Sequence, residues 1–268
     1  IFLGTKGKRQ KVCFPKPLDV RINLRDALVD LPTVSPTTGF SVGEKLAPMN
    51  KLGRGDKARF IRWVRNQKNP MGHGTKNRDC TLHHTRPVNP RDQAIFPLLT
   101  SGEESNRVLY KDIYPQRLDE VERLLPEGYQ LKRYKTVGPK VVGPPWGQRK
   151  TKRWIWYDPS KFGDKMRRMR GDKPAPTMVA HLAKDGYMFV HPDEDRTITV
   201  REAARLQSFP DSYDLSAGGI NSISSQFRQV GNAVPPLMAL SIGEEIMSAM
   251  NLEPKLTVSA IFQRVLAD

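Results

Sequence analysis

Arg196-Thr-Ile-Thr-Val-Arg-Glu-Ala-Ala-Arg-Leu-Gln-Ser-Phe-Pro-Asp211, followed shortly by Gln229-Val-Gly-Asn-Ala-Val-Pro-Pro-Leu-Met-Ala239, decides how this chain is read. Thr199 and Glu202 have the spacing of a capping box, in which hydroxyl and carboxylate satisfy each other's backbone N–H groups. That predicts a helix running to Gln207 and ending near Pro210. It assigns Glu202 to the cap rather than to catalysis. Arg201 and Arg205 lie four residues apart on one helix face, where they can meet phosphates or an acidic neighbour. In the second string Gly231 allows a tight backbone approach or a positive φ. Asn232 and the N–H groups ahead of a helix can receive an anion. Pro235 and Pro236 suit the first turn of a helix, with Ala239, Ile242, Ile246 and Ala249 as its expected buried stripe.

The rest of the chain differs in charge. Of 268 residues, 44 are Lys or Arg and 28 are Asp or Glu, a net charge of +16. Residues 173–268 hold 8 basic and 11 acidic side chains, a net of −3, so residues 1–172 carry +19. A field that positive over one part of a chain favours a polyanion, and a nucleic-acid backbone is the obvious one. Hydrophobic residues make up 38%, too many for a disordered chain. Cys13 and Cys80 are the two cysteines, so no disulfide framework is expected and a cytoplasmic setting fits. No apolar run has bilayer length and no signal peptide is visible, so no membrane partner is expected. The first residue is Ile1, which is read as a start that is missing or processed, and the chain as a piece of a longer polypeptide or a subunit.

Three segments are expected. Residues 1–35 resemble the end of a strand-and-helix unit, with Asn23 capping a short helix, Asp26 three residues on, and a stop at Leu31-Pro32. Residues 36–228 form an irregular domain. It contains a basic amphipathic helix from Gly55 to Gln67, with Ala58, Ile61 and Val64 on one stripe and Lys57, Arg62 and Arg65 largely away from it. It also contains a helix over Leu118–Leu125, a loop over Val137–Pro145, and a strand at Arg153–Tyr157. Pro176–Ala180 and Tyr187–Val190 read as two strands around a Lys184-Asp-Gly186 turn. Residues 229–268 form a closing segment. Cys80, His83 and His84, with His73 nearby, lack the thiolate count and spacing of a zinc site. Gly53-Arg-Gly55 and Gly72-His-Gly74 do not follow clear strands and are poor nucleotide loops. Trp63, Trp146, Trp154 and Trp156 are expected to pack rather than to stack on bases.

Both strings resemble the last two motif blocks of the DNA (cytosine-5) methyltransferases. Phe14-Pro-Lys-Pro and Leu24-Arg-Asp-Ala-Leu-Val-Asp-Leu-Pro32 look like the segment after that family's central arginine motif. Arg167-Arg-Met-Arg170 through Thr177-Met178 looks like the lead-in to its recognition-domain threonine. The resemblance implies an α/β fold, the C-terminal part of a doubly wound S-adenosylmethionine-dependent methyltransferase with an irregular recognition domain. It places Asn232 and Ala233 beside the carboxylate of S-adenosylmethionine and Thr177 on a backbone phosphate. It suggests duplex-DNA contacts for Lys57, Arg62, Arg65, Arg167, Arg168, Arg170, Arg201 and Arg205. The setting it implies is bacterial restriction-modification, in a cytoplasmic, nucleoid-associated enzyme.

The same resemblance shows what this chain does not carry. The family's nucleophile sits in a Pro-Cys dipeptide, whereas Cys13 follows Val12 and Cys80 follows Asp79. The Phe-x-Gly-x-Gly cofactor loop and the Glu-Asn-Val of the catalytic glutamate are not in the sequence. The expected role is therefore sequence-specific DNA recognition plus part of the S-adenosylmethionine site, with no catalytic residue in this chain and no activity when it is alone. The missing N-terminal half is expected on the same chain or on a separate subunit. A non-catalytic DNA-binding module or decayed remnant stands as the alternative, and an RNA-binding protein as a third reading.

Overall fold

A computed structural model describes residues 12–17, 20–40, 45–65, 80–88, 90–93, 95–99, 123, 135–137, 140–142, 165–184, 186–216 and 222–264. Seven helices are described in full there: α1 Leu24–Leu28, α2 Asp56–Arg65, α3 Pro90–Gln93, α4 Val200–Leu206, α5 Ile223–Asn232, α6 Pro236–Ala249 and α7 Val258–Arg264. Strands β1 Lys135–Val137 and β2 Lys140–Val142 pair antiparallel, with Thr136 opposite Val141. A 3-10 turn over Ala180–Ala183 lies against α5.

The helix signals give helices where their chemistry places them. Asn23 caps α1 and its backbone N–H donates to Asp26 Oδ2 at 3.3 Å. The amphipathic stretch becomes α2 with Ala58, Phe60, Ile61, Trp63 and Val64 buried. Thr199 and Glu202 form the reciprocal box at the start of α4: Glu202 N–H donates to Thr199 Oγ1 at 3.0 Å, and Thr199 N–H to Glu202 Oε2 at 2.7 Å.

Three expectations for strands and loops are corrected. Pro176–Ala180 forms no ladder, because Pro174 and Pro176 lack the N–H groups a ladder uses and the backbone then turns into the 3-10 helix. Tyr187–Val190 is reduced to isolated bridges from Val190 to Arg168 and Thr197, since Phe189 N–H closes a local turn onto Gly186 O at 2.7 Å. The expected loop over Val137–Pro145 holds β2 and the end of β1. The expected elements at Leu118–Leu125 and Arg153–Tyr157 lie outside the described residues, apart from helical Arg123. So do His73, Gly72–Gly74, Trp146, Trp154 and Trp156.

Two apolar clusters among the described residues tie distant elements together, and both cut across the three expected segments. The first joins Leu24 and Leu28 of α1, Met178, Leu182, Phe189 and Ile198, Ala203 and Ala204 of α4, and Phe227 and Val230 of α5. The second packs Phe60, Ile61, Trp63 and Val64 of α2 on Val258, Ile261 and Phe262 of α7. Burying each Leu, Ile or Phe side chain contributes roughly 1.5–3 kcal/mol. Helix α6 is different. Among its described residues only Pro236 is fully buried. The stripe expected to be buried is not: Ala239 is exposed, and Ile242, Ile246 and Ala249 are half-covered. Leu237 and Leu240 alone join the second cluster, so the other apolar side chains of α6 gain little cover from the described residues. No helix among the described residues is long and apolar enough to cross a membrane.

Two buried imidazoles brace the α4 cap. His83 Nε2 lies 2.7 Å from Pro32 O, which can only accept, so that nitrogen carries the proton. Nδ1, 2.9 Å from Thr199 Oγ1, then accepts the hydroxyl proton. His191 Nδ1 accepts the backbone N–H groups of Asp193 and Glu194 at 3.1 and 3.0 Å. Burial pulls both imidazoles below their ordinary value, so the fold holds them neutral. A depressed histidine contributes full stability above the unfolded value of about 6.5 and loses it as pH falls below that. Urea midpoints should therefore be flat above pH 7 and decline toward pH 5. His191→Asn, whose amide oxygen replaces the Nδ1 acceptor, should make that decline shallower by up to about 1.4 kcal/mol per pH unit. An unchanged acid slope in the variant would count against this account.

Candidate nucleic-acid and cofactor interface

The short helix α4 is buried on every side. Arg196, Arg201 and Arg205 are 0%, 1% and 0% exposed, and Glu202 is 1% exposed. A buried charge is tolerated only where it is paired and its hydrogen bonds are made. Arg196 meets Glu202 bidentately at 2.8 and 2.7 Å and adds Glu194 at 2.9 and 3.0 Å. Burial alone would raise the Glu202 carboxyl, but Arg196 outweighs it and holds it well below the ordinary range. Arg205 donates Nε and Nη2 to Asp211 at 2.8 and 2.6 Å and Nη1 to Asp30 at 2.5 Å. Arg201 donates to Thr81 O at 2.9 Å and Thr81 Oγ1 at 3.0 Å.

Several residues expected on DNA are thereby corrected. Arg201 and Arg205 take the acidic-neighbour and backbone option and face the interior. Arg168 also turns inward, donating to Leu99 O, His191 O and Phe96 O, each at 2.7 Å, and pairing with Asp195. Arg65 donates to Ala47 O at 2.7 Å and Asp30 at 3.3 Å. The guanidinium groups of Arg168, Arg201 and Arg205 donate through Nε, Nη1 and Nη2 to protein oxygens, and Arg65 is half-buried with its Nη1 bonded. Lys57 is half-buried on α2. Arg62, Arg167 and Arg170 are exposed, with Arg170 also bonded to Asp172 at 3.1 and 2.7 Å. Thr177 is exposed beside buried Met178.

Asn232 ends α5 and is exposed, and Ala233 is its half-buried C-cap. The loop that carries them is held by the helix before it. Gln207 donates its amide to Val230 O at 3.0 Å and Ala233 O at 3.4 Å. Ser208, in the left-handed region at φ 61°, accepts Leu237 N–H at 3.1 Å and so satisfies a donor at the start of α6. These two residues were not singled out from the sequence. The signal lay in the Gln-Ser-Phe-Pro string, where two polar residues precede a helix stop and have no role within that helix. Gly231 then packs its Cα directly on the peptide joining Val179 to Ala180. The segment bearing Thr177 and the segment bearing Asn232 are thus brought into backbone contact.

Neither cysteine has the surroundings of a nucleophile. Burial pushes the Cys80 thiol up to about 12, so it stays protonated at neutral pH. Cys13 is exposed on the segment before α1. No group of three or more His, Cys, Asp or Glu among the described residues is arranged to hold a metal ion.

A family profile described as C-5 cytosine-specific DNA methylase matches residues 65–248. The chain is 49% identical over 96 residues to the type II methyltransferase M.AgeI of Thalassovita gelatinovora, covering 36% of this chain and 21% of that protein. It is 27% identical over 256 residues to the type II methyltransferase M.Bpa9945I of Bacillus paralicheniformis, covering 91% of this chain and 43% of that one. It is 42% identical over 92 residues to the type II methyltransferase M.AquIB of Picosynechococcus sp., covering 32% of this chain. Those 92 residues are 64% of M.AquIB, which is therefore shorter than the present chain. The chain spans less than half the length of M.AgeI and of M.Bpa9945I.

The burial pattern separates structural from surface arginines. Arg205→Ala strands Asp211 and part of Asp30 without a partner and should cost roughly 3–5 kcal/mol in a denaturant melt. Arg167→Ala should leave that melt unchanged, weaken duplex-DNA binding and lower the salt dependence of binding by about one ion. The reverse pattern would place Arg205, not Arg167, at the nucleic-acid surface.

Proposed function

The chain belongs to the C-5 cytosine-specific DNA methylase family, and on that premise we propose that it is the duplex-reading and cofactor-closing portion of a DNA cytosine-5 methyltransferase. The nucleophile, the catalytic glutamate and the main cofactor loop are supplied by an N-terminal half, on the same polypeptide or on a second subunit. The observation that carries this reading is α6. It spans about 21 Å, follows the Asn232 loop, and leaves Met238 47% exposed, with Met250 and Leu252 beyond its end at 54% and 50%. A groove of about 660 Å³ lies beside it, lined by Phe14, Leu237, Met238, Ile242, Val258 and Phe262 among others. An apolar face of this size on one helix calls for a partner surface. The short relative M.AquIB supports the view that a chain of this part of the family can stand as a separate polypeptide.

Each exposed residue has a task in this reading. Arg167, Arg62 and Arg170 draw the phosphate backbone, and contacts of that kind set register rather than sequence choice. The Thr177 hydroxyl donates to a phosphate near the displaced base. The Asn232 amide donates to the carboxylate of S-adenosylmethionine, with Ala233 packed beside it. The donor set fits: a carboxylate needs N–H groups, and Asn232 presents an exposed amide on a loop fixed by Gln207 and Ser208. When bound, S-adenosylmethionine supplies the electrophilic methyl group. Sequence choice belongs to groove contacts from the recognition domain over 36–228. The setting is a bacterial restriction-modification enzyme acting in the cytoplasm on nucleoid DNA.

Mixing tests the reading. The purified chain with labelled S-adenosylmethionine and duplex DNA should transfer no methyl group. Adding a matching N-terminal half should restore transfer to cytosine. In that mixture Asn232→Ala should raise the cofactor KM on the order of tenfold or more, the loss of one hydrogen bond to a charged group. Salt-sensitive DNA binding with no rescue would favour the non-catalytic module instead.

A further inference from the structure

We infer that Gly231 is a positioning residue that couples DNA contact to cofactor contact, by letting the Asn232 loop rest on the peptide two residues beyond Thr177. The inference rests on the functional reading above, in which Thr177 meets a phosphate and Asn232 meets the cofactor carboxylate. Gly231 is part of α5 and is not among the described glycines with positive φ, so the position needs space rather than an unusual backbone. A Cβ there would stand 2.6 Å from Val179 O, 2.7 Å from Val179 C and 2.8 Å from Ala180 N. All three are backbone atoms, so no side-chain rotation relieves the clash, and the peptide or the helix must move.

The peptide is held from the other side as well. Val179 O accepts Leu182 N–H at 3.0 Å, which starts the 3-10 turn. Arg86 donates to Leu182 O at 3.2 Å and Ala183 O at 2.6 Å, and its third hydrogen bond reaches Ser224 Oγ at 3.2 Å on α5. Its guanidinium also sits 4.8 Å from the centre of the Phe227 ring, on α5 too. Met178, between Thr177 and Val179, is buried in the first apolar cluster. The 3-10 turn and α5 are therefore clamped near the start of α5 by Arg86 and at its end by Gly231. A close-packed contact of this kind transmits displacement rather than absorbing it. A phosphate that draws on Thr177 thereby bears on Asn232, and a carboxylate held by Asn232 bears on Thr177, because coupling between two sites is reciprocal.

The test uses the chain reconstituted with its N-terminal half. Duplex-DNA affinity is measured with and without S-adenosylhomocysteine, a cofactor product that cannot transfer a methyl group. The wild-type mixture should bind DNA about fivefold or more tightly with it. Gly231→Ala should bring that ratio close to one and raise the cofactor KM more than it lowers kcat. A ratio near one in the wild type, or an unchanged ratio in Gly231→Ala, overturns the inference alone. A wild-type mixture that never methylates DNA overturns the functional reading and this inference with it. If Gly231→Ala does not fold, the exposed pair Thr177→Val and Asn232→Ala decides. Their double-mutant cycle, read as DNA affinity in the presence of S-adenosylhomocysteine, should be non-additive by about threefold or more, and additive effects overturn the coupling.

Discussion

The ion pair between Arg196 and Glu202 is the constraint on which the rest of this structure depends. Both side chains are removed from water, at 0% and 1% exposure. An isolated charge there would cost several kcal/mol, and the pair is tolerable because every oxygen of the carboxylate is engaged. One oxygen takes Arg196 alone, while the other takes Arg196 and the Thr199 backbone N–H. The carboxylate thus neutralises a buried guanidinium and closes the start of α4 in a single arrangement. Because α4 is only seven residues long, its own hydrogen bonds would not hold it, and its environment must.

From that fixed helix the neighbouring parts are placed in turn. Arg205 ties α4 to α1 through Asp30 and to the following turn through Asp211. His83 ties its cap to Pro32. Gln207 and Ser208, just past its end, take hold of the loop that carries Asn232 and of the first turn of α6. A helix face whose arginines could meet phosphates or an acidic neighbour is therefore part of an internal bracket, and its charges serve construction. Among the residues singled out for DNA from the sequence, Arg62, Arg167, Arg170 and Thr177 are exposed.

The two halves of the molecule show different kinds of stability. The clusters around α4 and around α2 and α7 bury their apolar residues within the described chain. Helix α6 does not, although it has the richest run of apolar residues in the closing segment. Its residues were read as a buried stripe because hydrophobic spacing states which residues seek cover, not where that cover comes from. The half-exposed stripe and the groove beside it are what such a helix looks like when its cover belongs to other residues.

Local chemistry was legible from the residues alone. The Thr199–Glu202 box, the Asn23 start, the amphipathic α2 and the proline start of α6 depend on groups a few residues apart, and all are present. The family followed from two long strings. Pairings across the chain were not legible, because they join residues far apart in order. Arg205 with Asp30 spans 175 positions, and Gly231 with Val179 spans 52. A helix face bearing two arginines has the same sequence whether it meets water, a phosphate or an aspartate, and burial alone distinguishes them. The sequence by itself determined where helices begin, which family the chain resembles and which half carries positive charge, since these are properties of neighbours and of composition. Only the tertiary structure decided which arginines are internal, which glycine touches backbone and which helix stays half-exposed among the described residues, since each is set by what distant segments bring to the same point.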